Sequence, residues 1–458
     1  MNRTTISADF SQLVGSIKPM HGGNIGPLQD ISGNTSVLGD FTSLYREMGV
    51  PYCRVHDVEI PFGKDQFVDI HGIFQDFDAD VNDPASYNFK YTDIYLKGII
   101  DAGSEVFYRL GESIDGFDRK LYVNPPKDFE KWANICEHII AHYNEGWANG
   151  YKWGIRYWEI WGEPENGDLF TGTREEYYDL YRITARRLKA RFGDSIRIGG
   201  YGSCGFYALT RDNPSEWFKT LIPFMDKFFE YITAEETKAP IDFFSWHIYA
   251  ESLEELTLHA SFARKKLDSF GLLNCESILD EFNFFYTFSE FAPFHKGVFA
   301  DLASGLILAQ KSSIDKMMHY AFTMRTPFNE MFSLGYDNQT IHRFAGIESY
   351  SAFNTLYKLG NEVQVEGDIP TKLDVLAATD ETGKAAMFIS SHAPFDEIEI
   401  KFANYPSHSY VIKRVTDGAE GMAVIKTENG TLSADGLLTT SIKEHETLLI
   451  CFANQYPL

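Results

Sequence analysis

The sequence predicts an α/β chain in two parts, a (β/α)8 TIM barrel followed by a smaller C-terminal antiparallel β-sandwich. Three observations carry this prediction. Between about residues 15 and 355, eight short β-rich runs alternate with longer stretches of helical periodicity. Several of those stretches end in glycine, the residue favoured just past a helix terminus. Beyond about residue 360 the helical stretches stop, and short alternating runs separated by Gly, Asn, Asp and Pro take over.

In order, the strands are IKPMHGG (17–23), YCRVHDVEI (52–60), SEVFYRLGE (104–112), YWEIWGE (157–163), IRIGGYG (196–202), DFFSWHIY (242–249), ESILDEFN (276–283) and MMHYAFT (317–323). Helices are read between them over 39–49, 91–103, 127–146, 174–193, 252–271 and 298–313. Strands alternating with helices over this length give a parallel barrel, which spans 17–357. The sandwich then spans 358–458. Residues 1–16 contain the alternating run TTISADFSQ, expected to pair with the sandwich and cover one of its edges.

The charge balance excludes several function classes. With 41 Lys and Arg against 65 Asp and Glu, the formal charge is −24, and such a surface repels phosphate backbones and anionic membranes. Neither nucleic acid nor membrane is an expected partner. The five cysteines, Cys53, Cys136, Cys204, Cys275 and Cys451, stand singly with no metal-ligand spacing, so they read as buried thiols. The amino terminus has no apolar leader-like run, which leaves the compartment open between the cytoplasm and export with a leader omitted. Oligomeric state is not encoded in any motif.

Functional groups of such barrels lie at the carboxyl ends of the strands. Reading those ends in turn gives His21 and Asn24; His56, Asp57 and Glu59; Glu112 and Asp115; Glu163 and Glu165; Tyr201; His247 and Tyr249; Glu281 and Asn283; and Arg325. Glu163 and Glu281 each close an apolar run, WEIW and SILD, where an uncompensated charge is costly. They sit on strands four and seven, which face each other across a barrel mouth. Two carboxyls about 5 to 5.5 Å apart permit double displacement, one attacking the anomeric carbon and the other first protonating the leaving oxygen and then activating water. Arg54, two residues before His56 and on the same strand face, has two readings: holding Glu281 ionised, or pairing with Glu159 inside the barrel.

YWEIWGEPEN together with ILDEFN resembles the catalytic strands of clan A glycoside hydrolases, and the closest pattern is glycoside hydrolase family 39, which contains β-xylosidases and α-L-iduronidases. RVHDVE, FFSWHIY and FAGIESYSAFNTLYKLG extend the likeness through the barrel. The resemblance implies a retaining enzyme acting on a carbohydrate, with no cofactor and no metal. Position by position, it makes Glu163 the acid/base and Glu281 the nucleophile. It puts His56, His247 and Tyr249 near the sugar, and Asn283 in the motif of glutamate, aromatic residue and asparagine. Asp57, Glu112, Glu165 and Tyr320 complete the expected substrate-binding set.

Two positions depart from the family pattern. The acid/base motif there reads Asn-Glu-Pro, its Asn donating to the sugar 2-hydroxyl, whereas this chain has Gly162. At the eighth strand the clan places a Trp, and this chain has Tyr320, Ala321 and Phe322. These departures imply an altered, roomier 2-hydroxyl subsite, with Glu165, Asn166 or Glu112 as replacement partners. The alternative reading is a glycan-binding protein with weakened or absent catalysis. Metal-dependent hydrolysis through His21, His56, Asp57 and His247 has no supporting ligand spacing such as HExxH.

Overall fold

The computed structural model describes residues 3–27, 41–56, 59–60, 63–64, 67–288, 295–322, 331–334 and 340–452. Eight parallel strands, Gly22–Asn24, Tyr52–Val55, Glu105–Leu110, Tyr157–Ile160, Arg197–Ser203, Phe243–Ala250, Glu276–Phe284 and Lys316–His319, close into a barrel. Each overlaps a run read as a strand from the sequence. Strands two, three, four and eight end at Val55, Leu110, Ile160 and His319, short of the expected ends.

Helices surround the barrel, and their starts follow local chemistry. Asp128 caps Phe129–Asn144 by accepting from the Lys131 N–H, and Ser252 caps Leu253–Ser269 in the same way through Glu255. Thr173 and Glu176 form a reciprocal capping box on Arg174–Phe192. The helices turn residues such as Trp132, Ile139, Tyr177, Tyr181 and Leu188 into one large core around the strands.

Inside the barrel the side chains are layered. Phe107, Tyr157, Phe243, Ile278 and Met318 form a separate apolar cluster with Tyr52 against it, and the Phe107 ring lies 5.3 Å from Tyr157 and 5.2 Å from Phe243. Side chains on a strand alternate faces, so the next inward position on each of these strands is two residues on. That step gives Arg54, Arg109, Glu159, Ser245, Asp280 and Tyr320, a polar layer directly above an aromatic plug.

The second unit is one nine-stranded sheet, mostly antiparallel, that curls over its own core. The core draws Ile412 and Leu448 from one end of the sheet and Leu438 and Ile442 from the other. Arg3–Ser16 belongs to this sheet, lying between Asn361–Gly367, to which it is antiparallel, and Phe395–Ala403, to which it is parallel. The central strands are buried on both faces. Val375, Ala377, Met387 and Ile389 point into the sheet's own core, while Leu376, Ala378, Ala386 and Phe388 join the core of the barrel. Among the described residues, no helix is long and apolar enough to cross a membrane.

Candidate active site

After Ile160 the fourth strand breaks, and Trp161 (φ 69°) and Glu163 (φ 48°) both adopt left-handed backbone conformations. Such conformations cost non-glycine residues about 1–3 kcal/mol each and persist only where the surroundings enforce them. Here the Trp161 N–H donates to the Leu110 carbonyl at 2.7 Å, the Trp161 indole donates to Leu169, and the Glu163 N–H donates to the Tyr201 and Gly202 carbonyls at 3.1 and 2.9 Å. The turn aims Glu163 into the mouth. Gly162 is not among the positive-φ glycines, so backbone freedom is not its reason. A Cβ at 162 would lie 3.0 Å from Arg109 Cδ and 3.1 Å from Arg109 Nη1, so the glycine admits a neighbouring side chain.

The seventh strand uses a bulge. Its pairing with the sixth runs from Leu279 opposite Trp246 to Glu281 opposite His247, skipping Asp280. Asp280 and Glu281, consecutive in sequence, therefore both turn inward and both meet Arg54, at 3.1 and 3.2 Å. Arg54 also donates to Glu159 at 2.8 Å, so it makes both contacts read from the sequence at once.

One oxygen of Glu163 and one of Glu281 lie within 4.8 Å of each other, with His247 in the same cluster. His247 Nδ1 is 2.7 Å from Glu163 Oε1 and 3.6 Å from Glu281 Oε2, and its Nε2 faces Asp280 Oδ1 at 3.4 Å. Tyr249 donates to Glu281 Oε1 at 2.7 Å, and Asn166 donates to Glu163 Oε2 at 3.2 Å. His56 lies 2.8 Å from Asn24 Oδ1 and stacks on Tyr320 at 5.9 Å between ring centres.

These surroundings set the charges. Burial works against a charged His247, but Glu281, Asp280 and Glu163 outweigh it and raise the imidazole well above its usual range. Burial pushes the Glu163 carboxyl up, yet the hydrogen bond and charge of His247 and the Asn166 contact bring it below the ordinary value. Glu281 is raised, by burial first and by the neighbouring Glu163 charge, against the pull of His247 and Arg54. Beneath them, burial pushes Glu159 up to about 8, whereas Arg54 and His247 overcome burial and draw Asp280 down to about 2. Glu159 and Asp280 are thus shifted in opposite directions under a shared guanidinium.

A cavity of about 420 Å³ opens above this layer, a volume suited to a small ligand. It is lined by His56, Glu163, Asn166, His247, Tyr249, Glu281 and Tyr320 from the sequence reading. Glu112 and Glu165 are not among its lining residues. Glu112 is engaged by His71, and Glu165 Oε1 accepts from Ser203 and the Cys204 N–H. Asn283 donates to the Tyr320 carbonyl, tying strands seven and eight together at the mouth. His21 packs against Phe353 and Tyr357, away from the mouth, and Asp57 and Arg325 lie outside the described residues.

The sequence reading passed over Arg109, Asp280 and an apolar rim of Ile114, Leu169, Trp217, Phe218 and Phe285. Arg109 had a usable signal, since it shares the inward face of its strand with Phe107. Trp217 and Phe218 open the helix Glu216–Thr233, which is not among the helices read from the sequence, whereas Ile114 and Leu169 stand between elements with no periodicity to mark them.

Two described trios bring ligand-type groups together, Glu163–His247–Glu281 and Asp69–His71–Glu112. In the first, His247 Nδ1 already lies 2.7 Å from Glu163 and 3.6 Å from Glu281. In the second, the positive charge of Arg109 acts on both Asp69 and Glu112, which disfavours a metal ion.

Comparison with known proteins identifies relatives and a family. The chain is 26% identical over 192 residues to a β-xylosidase of Geobacillus stearothermophilus, covering 39% of this chain and 34% of that one. It is 25% identical over 352 residues to a β-xylosidase of Caldicellulosiruptor saccharolyticus, covering 69% and 67%. The match thus spans about a third of the first relative's length and two thirds of the second's. The fold matches the crystal structure of a glucosidase from Croceicoccus marinus with a TM-score of 0.76 and 19% identity over 98% of each chain. The model of the glycosyl hydrolases family 39 matches residues 43–409, taking in the barrel from its first helix onward and both carboxylates, and the chain belongs to that family.

Proposed function

We propose that the protein is a retaining, exo-acting glycosidase that removes a terminal sugar by double displacement, with Glu281 as nucleophile and Glu163 as acid/base. The observation that carries the reading is the close approach of the two carboxylates in unequal surroundings: Glu281 held by Tyr249 and Arg54, Glu163 by His247 and Asn166. Separation of this size leaves no room for a water between carboxyl and anomeric carbon, as inversion requires. The cavity volume and the polar layer closing its floor favour one sugar entering end-on.

The proton for the leaving group sits on His247 in the free site. When a sugar fills the cavity and excludes water, charge separation between His247 and Glu163 becomes more costly, and the proton passes from Nδ1 to Glu163 Oε1. Glu281 then bonds to the anomeric carbon as the glycosidic bond breaks, and Glu163 gives its proton to the departing oxygen. In the second half, Glu163 takes a proton from water, the oxygen of that water attacks the anomeric carbon, and the bond to Glu281 breaks. The names of the two curated relatives put a β-xyloside first among substrates.

Incubation with 2-deoxy-2-fluoro-β-xylosyl fluoride, and with its arabinosyl and glucosyl counterparts, followed by peptide mass spectrometry, tests the reading. A glycosyl adduct on Glu281 is expected. An adduct on another residue overturns the assignment, and no adduct with any reagent favours a glycan-binding protein instead.

A further inference from the structure

Arg109 is a buried cation with an incomplete set of partners. It is 4% exposed, and its Nε is buried without a hydrogen-bond partner. Among the described residues its guanidinium donates from Nη2 to the Glu112 carbonyl at 2.8 Å, and no carboxylate lies within ion-pair distance of it. The acids that feel its charge are committed elsewhere: Glu112 to His71, and Asp69 to the backbone and hydroxyl of Ser113 at 2.7 and 2.9 Å. Burying a guanidinium this way is costly unless a ligand completes its contacts. The side chain also lines the cavity beside Glu163 and Glu281.

Its position answers the glycine. Arg109 Cδ and Nη1 lie 3.0 and 3.1 Å from the point where a residue-162 Cβ would stand, so the volume next to the acid/base is taken by Arg109 and is not enlarged. The three partners weighed from the sequence are poorly placed to act there. Glu112 and Glu165 do not line the cavity, and the Asn166 amide already donates to Glu163.

Resting on the glycosidase reading above, we propose that Arg109 is the residue that reads carbon 2 of the bound sugar, donating from its guanidinium to the 2-hydroxyl. Carbon 2 is one bond from the reacting carbon, so its hydroxyl necessarily sits beside both carboxylates, where Arg109 is. Contacts to this hydroxyl strengthen as the ring approaches the oxocarbenium-like transition state. A charged donor makes the stronger hydrogen bond, and by polarising the hydroxyl it improves that group as a donor to Glu281. The substrate class follows: sugars with a free 2-hydroxyl are accepted, and 2-amino sugars, cationic at neutral pH, are rejected by the fixed positive charge.

The test compares kcat/KM for 4-nitrophenyl β-D-xylopyranoside, α-L-arabinofuranoside and β-D-glucopyranoside, each beside its 2-deoxy counterpart, in wild type, Arg109→Met and Arg109→Lys. The wild type should favour the 2-hydroxy substrate by about 100-fold or more, and Arg109→Met should lose that factor on the parent sugar while leaving the 2-deoxy sugar nearly unchanged. Arg109→Lys, which keeps the charge but loses the planar fork, should retain part of the preference, and it carries the test if the Met variant does not fold. Equal losses on both sugars, or an unchanged preference in either variant, overturn the role of Arg109 alone. Absence of turnover by the wild type on every parent sugar overturns the glycosidase reading and this inference with it.

Discussion

Two layers of one barrel, a single inward step apart on the same strands, have opposite characters. The lower holds Phe107, Tyr157, Phe243, Ile278 and Met318, packed ring to ring. The upper holds Arg54, Glu159, Ser245 and Asp280, joined by ion pairs and hydrogen bonds, with Arg109 and Tyr320 beside them. The lower layer keeps water away from the base of the upper one, so charges there interact strongly and hold fixed positions. The upper layer spends that strength on orientation: Arg54 grips Glu281, Asp280 faces His247, and His247 holds Glu163. The contrast teaches that the plug should govern stability and the polar layer activity, with Arg54 coupled to both.

The sharpest break is at the top of the polar layer. If Glu281 forms the glycosyl bond as proposed, Glu281→Gln should lower kcat by at least about 10⁴-fold. Its melting temperature should hold or rise, because a carboxyl whose pKa is raised by burial costs stability when ionised at neutral pH. Turnover assays beside a calorimetric melt check both halves.

Next comes Arg54→Met, which leaves Asp280 and Glu281 without their shared cation. It should cost about 3–5 kcal/mol in urea unfolding and also reduce kcat. A stable variant with normal turnover would show that the polar layer is not the support described.

Phe107→Ala probes the plug. A loss of about 3–5 kcal/mol is expected, with kcat nearly unchanged well below the melting temperature. If kcat falls while stability holds, the division between layers is wrong.

The smallest effect concerns Glu165, which burial and the Glu163 charge push up to about 8 from 4.5. A raised carboxyl contributes its stability below about pH 4.5 and loses it as pH climbs through 8. Glu165→Gln should therefore flatten the decline of melting temperature between those limits, and an unaltered slope would remove Glu165 from the buried charges.

Much of this was legible from residues alone, for reasons particular elements make plain. Eight β-rich runs announced the barrel because a parallel strand buried on both faces needs near-continuous apolar sequence. Glu163 and Glu281 stood out because each closes such a run. Glu112 and Glu165, at the same rim, were read as substrate-binding, yet neither lines the cavity. Their directions depend on a left-handed turn at Glu163 and on His71, which reaches Glu112 from the short helix Ile70–Ile73. Strict alternation turns either Asp280 or Glu281 inward, and only the bulge brings both to Arg54. The parallel pairing of Arg3–Ser16 with Phe395–Ala403 joins residues nearly the whole chain apart, beyond any local pattern.

The sequence by itself determined the periodicities, hence the barrel, and which strand ends carry acids, because alternation and apolar run length are local properties. Tertiary structure decided which acids meet and why residue 162 is glycine. That answer depends on the Arg109 side chain arriving from the neighbouring strand within 3.0 Å, a distance set only when the barrel closes.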